Sequence, residues 1–123
     1  MDKKIMIVDD SITIRQTLGL MLKTAGYDVV DAKDGNDAWS KLPAEKIGLF
    51  ILDVNMPGMD GIAFLNKLKT EDSLKHTPVL MLTTESSAEK IAEGKQAGAK
   101  AWMVKPFQPA QLLEAVKKLM VVR

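Results

Sequence analysis

Leu49-Phe50-Ile51-Leu52-Asp53-Val54-Asn55-Met56-Pro57-Gly58-Met59-Asp60-Gly61 is the stretch that decides the fold. Four apolar residues without a polar interruption have the length of a strand covered on both faces. The acid at 53 then stands where the strand yields to a turn marked by Pro57, Gly58 and Gly61. The same arrangement occurs twice more: Ile5-Met6-Ile7-Val8 runs into Asp9-Asp10, and Ala101-Trp102-Met103-Val104 runs into Lys105-Pro106. If these strands are parallel neighbours, three carboxylates and one ammonium converge at one edge of one sheet. A site of that kind binds a divalent cation and handles phosphate.

Outward from these runs, strand-length apolar segments alternate with segments of helical period, five of each, the pattern of a parallel sheet with helices on both faces. Ser11 is placed to cap a first helix whose stripe is Ile14, Leu18, Met21, Leu22 and Ala25, ended by Gly26. Asp28 to Ala32 reads as an edge strand. A short helix through Ala38, Trp39 and Leu42 follows the Asp34-Gly35 turn and stops at Pro43. Gly58 and Gly61 break the chain before a third helix carrying Ile62, Leu65 and Leu68. The fourth strand is Val79 to Thr83. Ser86 and Glu89 have capping-box spacing for a fourth helix that carries Ile91, is weakened by Gly94 and stops near Ala97-Gly98. Pro109 suits the first turn of a last helix with the stripe Leu112, Leu113, Val116, Leu119 and Met120.

The 123 residues correspond to one domain, and the expectation is a single unit over 1–123 with no effector domain. Apolar residues make up 46%, and seventeen basic side chains nearly cancel sixteen acidic ones, for a formal net charge of +1. Neither nucleic acid nor an anionic membrane is drawn to such a balance. Lys117, Lys118 and Arg123 complement the negative end of the last helix. With no cysteine, disulfide and thiolate chemistry are excluded. Met1-Asp2-Lys3-Lys4 leads into an apolar run too short for a signal core or a membrane span, so the expected setting is cytoplasmic.

Asp9, Asp10, Asp53, Thr83 and Lys105 all fall at carboxyl ends of strands, where open α/β sheets bind ligands. Clustered carboxylates repel one another until a cation neutralises them, and hard oxygen donors suit Mg²⁺ better than zinc. A carboxylate can also accept a phosphoryl group as an acyl phosphate. Lys105 would then pair with a phosphoryl oxygen, and the Thr83 hydroxyl could donate to another.

Asp9-Asp10, Asp53 with the Met56-Pro57-Gly58-Met59-Asp60-Gly61 turn, Thr83, and Lys105-Pro106-Phe107 make the chain resemble the response-regulator receiver family along essentially its whole length. Asp10-Ser11-Ile12-Thr13-Ile14-Arg15, with Thr83 to Ser86 and Gly98 to Trp102, is most similar to single-domain chemotaxis regulators. The resemblance implies a flavodoxin-like, three-layer doubly wound (βα)5 fold with strand order 2-1-3-4-5. It implies Asp53 as phosphoacceptor, Mg²⁺ held by Asp10, Asp53 and the main-chain carbonyl of Asn55, and Asp9 acting mainly through water. Thr83 and Lys105 would hold the phosphoryl group, with a cis Lys105-Pro106 bond. A histidine kinase would be the phosphodonor. A downstream protein, of which a flagellar motor switch is one kind, would be bound after Thr83 moves toward the phosphate and Trp102 turns inward. Ile91, Trp102, Val104 and Lys118 are the expected partner face. The domain itself is expected to be a monomer, and no enzyme beyond its own phosphorylation and dephosphorylation. Trp102 has no hydroxyl, so a tyrosine's hydrogen bond is not expected there, and Thr84 is bulkier than the small residue common at its position.

Other readings are open at this level. A phosphorelay shuttle or a phosphate sink would use the same chemistry. An aspartyl-phosphate phosphatase for small substrates would need a second carboxylate after Asp53, where Val54-Asn55 stand, and a substrate-capping insertion. An adaptor that keeps the fold without the chemistry would not need the full set of acids, threonine and lysine. His76 reads as a surface residue, Trp39 as packing on the second helix, and Met6, Met21, Met81 and Met103 as core filling.

Overall fold

The computed structural model describes residues 4–42 and 46–120. Pro43, expected to stop the second helix, Arg123, expected at the last helix end, and the Met1-Asp2-Lys3 leader lie outside them. Strands β1 (Lys4–Val8), β2 (Asp28–Ala32), β3 (Leu49–Leu52), β4 (Val79–Thr83) and β5 (Ala101–Val104) alternate with helices α1 (Ile12–Thr24), α2 (Gly35–Lys41), α3 (Gly61–Leu68), α4 (Ala88–Gln96) and α5 (Pro109–Leu119). All strand pairs are parallel, in the order β2-β1-β3-β4-β5. The expected fold class and strand order are what the chain adopts.

Side chains alternate across each strand, so the sheet feeds two cores. Met6, Val8, Phe50, Leu52, Val79 and Met81 face Ala38 of α2 and Phe64, Leu65 and Leu68 of α3. Ile5, Ile7, Leu49, Ile51, Leu80 and Leu82 face Leu18 and Leu22 of α1 and Leu112 and Val116 of α5. β1, β3 and β4 are central, apolar and buried, whereas β2 and β5 are half-exposed edges; β2 carries acids at Asp28 and Asp31, while β5 is apolar in sequence yet only partly covered. Met6 and Met81 are fully buried; Met21 and Met103 pack partly against the second core. Trp39 meets Phe64 edge-on at 6.1 Å and lies under the Lys67 ammonium, a packing role as expected. His76 is exposed. Among the described residues no helix is long and apolar enough to cross a membrane.

Three local details depart from the sequence reading. Ala25 is the exposed C-cap of α1 and does not extend its buried stripe, because the helix has ended before Gly26 takes φ +100°. Gly61 does not only break the chain: it opens α3, with Asp60 as N-cap. The cap of α4 is Ser87, accepting from the Lys90 amide, and not Ser86. Adjacent serines offer the same hydroxyl, and the choice falls to the preceding loop, where the Glu85 amide is tied to Thr83 Oγ1 at 3.2 Å.

Candidate functional site

Each strand that carries a site residue extends its ladder one step beyond its end. The Asp9 amide donates to Ala32 O, the Asp53 amide to Val8 O and the Lys105 amide to Thr83 O, at 2.8 to 3.1 Å. β1 and β3 are neighbours although β2 lies between them in sequence, so Asp9-Asp10 and Asp53 meet where the strand order reverses. One carboxylate oxygen from each of Asp9, Asp10 and Asp53 lies within 4.8 Å of the others. Asp9, Asp53 and Thr83 are the only buried polar or charged residues among the described residues, at 2%, 6% and 0% exposure. A fold would not bury these groups for stability alone, because unpaired charge in a dry site is costly.

Lys105 supplies the pairing. Its Nζ donates to Asp9 Oδ2 at 2.6 Å and to Asp53 Oδ2 at 3.2 Å. Burial works against the charged ammonium, but the hydrogen bond and attraction of Asp9, followed by those of Asp53, outweigh it and hold the Lys105 pKa above its ordinary value. The remaining oxygens are held locally: Asp9 Oδ1 accepts from the Ser11 amide and Asp53 Oδ1 from the Asn55 amide. The Lys105-Pro106 peptide is cis, as the resemblance implied.

Gly61 brings α3 against this edge. Its amide donates to Val54 O, and a Cβ in its place would stand 2.1 Å from the Asp53 carbonyl oxygen. Only a residue without a side chain lets the helix start this close to the loop after β3. Gly58, at φ +75°, turns the chain between the two.

The outer end of the site holds a contact that the sequence reading did not include. Trp102 does make a hydrogen bond: its Nε1–H donates to the Glu85 carbonyl at 3.0 Å. The indole lies over Gly94, where an added Cβ would be 2.5 Å from its ring. The indole nitrogen thus reaches a loop acceptor with its own donor. Thr84, noted for its bulk, is exposed. Ile91 on α4 and Trp102 on β5 are partly buried, while Val104 on β5 and Lys118 on α5 are exposed.

Sequence reasoning missed Arg15, Glu85 and Gly94. Arg15 Nη1 donates to the Asp9 carbonyl, and Trp102 on β5 meets Glu85 in the β4–α4 loop and Gly94 on α4. No local pattern marks these roles: Trp102 meets Glu85 and Gly94 across elements, and Arg15 on α1 folds back over the end of β1.

The family model of the response regulator receiver domain matches residues 5–117. The chain belongs to the receiver domain family. It is 40% identical to Chemotaxis protein CheY-3 of Vibrio cholerae, over 94% of this chain and 90% of that protein. With Chemotaxis protein CheY of Pseudomonas aeruginosa the identity is 38%, over 94% of both. The solved structure of chemotaxis protein CheY4 of Vibrio cholerae superposes with a TM-score of 0.91 at 44% identity, covering 97% of this chain and 99% of that one. This receiver domain is therefore a member of the CheY-like branch of two-component signalling, with an all-oxygen acidic cluster at its strand ends.

Proposed function

We propose that this receiver domain is a phosphorylation-dependent signalling switch of a two-component system, serving chemotaxis. A histidine kinase phosphorylates Asp53, and the phosphorylated domain binds a downstream protein, a flagellar motor switch being one such target. The observation that carries the reading is the buried Asp53 carboxylate, facing the Lys105 ammonium and clustered with Asp9 and Asp10.

The acidic donor set fits Mg²⁺, with hard oxygens of Asp9, Asp10 and Asp53, and by the family resemblance the main-chain carbonyl of Asn55 would join them. When bound, Mg²⁺ neutralises carboxylate and phosphoryl charge. Asp53 acts as nucleophile. Its carboxylate oxygen forms the new O–P bond while the P–N bond of the phosphohistidine breaks and the imidazole keeps the electron pair. Lys105 stands ready to exchange its contact with Asp53 for one with a phosphoryl oxygen, while Asp9 keeps hold of its ammonium. Thr83 Oγ1 accepts from the Glu85 amide, which leaves its own hydrogen free to donate to the phosphoryl group.

Movement of Thr83 would pull on the loop whose Glu85 carbonyl holds Trp102, and so reach the face of Ile91, Trp102, Val104 and Lys118. The change is a shift between two populations, so the partner must prefer one of them. The domain catalyses only its own phosphorylation and dephosphorylation, as a cytoplasmic monomer that binds neither nucleic acid nor membrane. The near-zero net charge and the absence of cysteine support that setting.

Incubation with acetyl phosphate and Mg²⁺ should add the mass of one phosphoryl group to the wild type and none to Asp53→Ala. Equal gain in both would remove Asp53 as the acceptor. Turnover of many phosphate esters would instead favour the phosphatase reading.

A further inference from the structure

The peptide that joins Asp9 to Asp10 is held by a side chain from outside the acidic cluster. Arg15 lies in the second turn of α1, and its guanidinium reaches in two directions. Nη1 donates to the Asp9 carbonyl oxygen at 2.7 Å, and Nε donates to Asp31 Oδ2, on the edge strand β2, at 2.9 Å. The Arg15 side chain is 14% exposed and that of Asp31 57%. The shielded end of the contact is therefore the one toward Asp9, and the Asp31 pair serves to orient the guanidinium.

We infer that Arg15 is a positioning residue for the acidic pocket: by holding the Asp9 carbonyl it sets the plane of the Asp9-Asp10 peptide and so aims the Asp10 carboxylate at Asp53. A trans peptide is planar, so fixing the Asp9 C=O also fixes the Asp10 nitrogen and Cα. Asp9 needs no further help, because its amide, Oδ1 and Oδ2 already bond to Ala32 O, the Ser11 amide and Lys105 Nζ. Asp10 differs. It is exposed, so its aim comes from its backbone and not from packing. Three like charges within 4.8 Å tend to swing apart in the metal-free protein, and a fixed peptide resists that motion. Arg15 thus preorganises the ligand set, as hydrogen-bonding partners behind a metal ligand do.

This inference rests on the Mg²⁺ reading above, and the sign of the effect separates it from simple electrostatics. Deleting a cation beside three carboxylates should by Coulomb's law tighten the binding of a divalent cation. Loss of positioning should weaken it.

Calorimetric titration of the full chain with MgCl₂ should give Arg15→Ala a Kd raised about tenfold. Arg15→Lys keeps the charge but cannot fork to both partners, and it should weaken binding by a smaller factor. Asp31→Asn retains an acceptor for Nε and should weaken it least. Affinity in Arg15→Ala equal to or tighter than wild type would overturn the proposal. If Arg15→Ala melts early, Arg15→Lys decides by the same criterion. A second readout needs no metal: exchange of the Ser11 amide, which donates to Asp9 Oδ1, should accelerate in Arg15→Ala. If the wild type binds no Mg²⁺, the functional reading fails, and this exchange decides Arg15 alone: acceleration supports positioning and an unchanged rate overturns it.

Discussion

Gly94→Ala should destabilise this receiver domain although alanine is the better helix former. Within the last turn of α4 the substitution gains at most about 1 kcal/mol of helix propensity. The new Cβ, however, would stand 2.5 Å from Trp102 Cζ3 and 3.1 Å from Cε3. Carbon atoms pack at about 3.5–4.0 Å, so the indole must retreat by about 1 Å. That movement stretches or breaks the 3.0 Å bond from Trp102 Nε1 to the Glu85 carbonyl. Overpacking costs about 1–3 kcal/mol and the lost bond about 0.5–1.5 kcal/mol, which leaves a net loss of about 0.5–3.5 kcal/mol after the propensity gain.

Urea unfolding of Gly94→Ala in a Trp39→Phe background reports stability and the environment of the remaining indole together. The emission of Trp102 should shift toward that of a more exposed indole. The same change made in Trp102→Ala has no ring to displace, and there it should stabilise by at most about 1 kcal/mol. A reversal of sign between the two backgrounds is the signature of direct coupling. Gly94→Ala that raises stability with an unchanged Trp102 spectrum would refute the reasoning, because the indole would not then depend on the space that Gly94 leaves.

Two further outcomes follow from the acidic edge. Gly61→Ala places a Cβ 2.1 Å from the backbone oxygen of Asp53, which cannot rotate away as a flexible side chain could, so unfolding should be easier by about 1–3 kcal/mol. Phosphorylation from acetyl phosphate should slow as Asp53 is displaced; an unfolding midpoint at or above wild type would contradict the close approach. Lys105→Met should lower stability in metal-free buffer by leaving Asp9 and Asp53 without their ammonium. Because the folded pKa of Lys105 is raised, the wild-type advantage should be full below the unfolded lysine pKa of roughly 10.4 and fade as pH rises through the higher folded value. Urea midpoints of both proteins between about pH 8 and 11.5 test this, and an advantage that fades already below pH 10 would contradict it.

The acidic edge was legible early because its residues are marked by their neighbours. The Asp9-Asp10 pair, Asp53 and Lys105 each follow an apolar run of four, and on β1 and β3, covered on both faces, such a run ends where the first charge must reach water or a partner. Helix boundaries were legible where one residue type has one use, as with Ser11 at the start of α1 and Gly26 after its end. They blurred where two residues could serve, as with Ser86 and Ser87 before α4.

Trp102 shows the limit most clearly. Its spacing from Lys105 placed it on β5, but whether it had a hydrogen-bond partner depended on the Glu85 carbonyl seventeen residues earlier. Arg15 likewise finds Asp31 only because β1 and β2 pair in register.

Sequence alone therefore determined the alternation of strands and helices, the family, and the set of acids, threonine and lysine at the strand ends. Periodicity and turn chemistry are local, and a chain carries them openly. Tertiary structure decided which of those ends face one another, how Lys105 divides its ammonium between Asp9 and Asp53, and which glycines make room for Asp53 and Trp102. Those are contacts of a few ångströms between residues far apart in the chain, and they exist only once the sheet has ordered its strands.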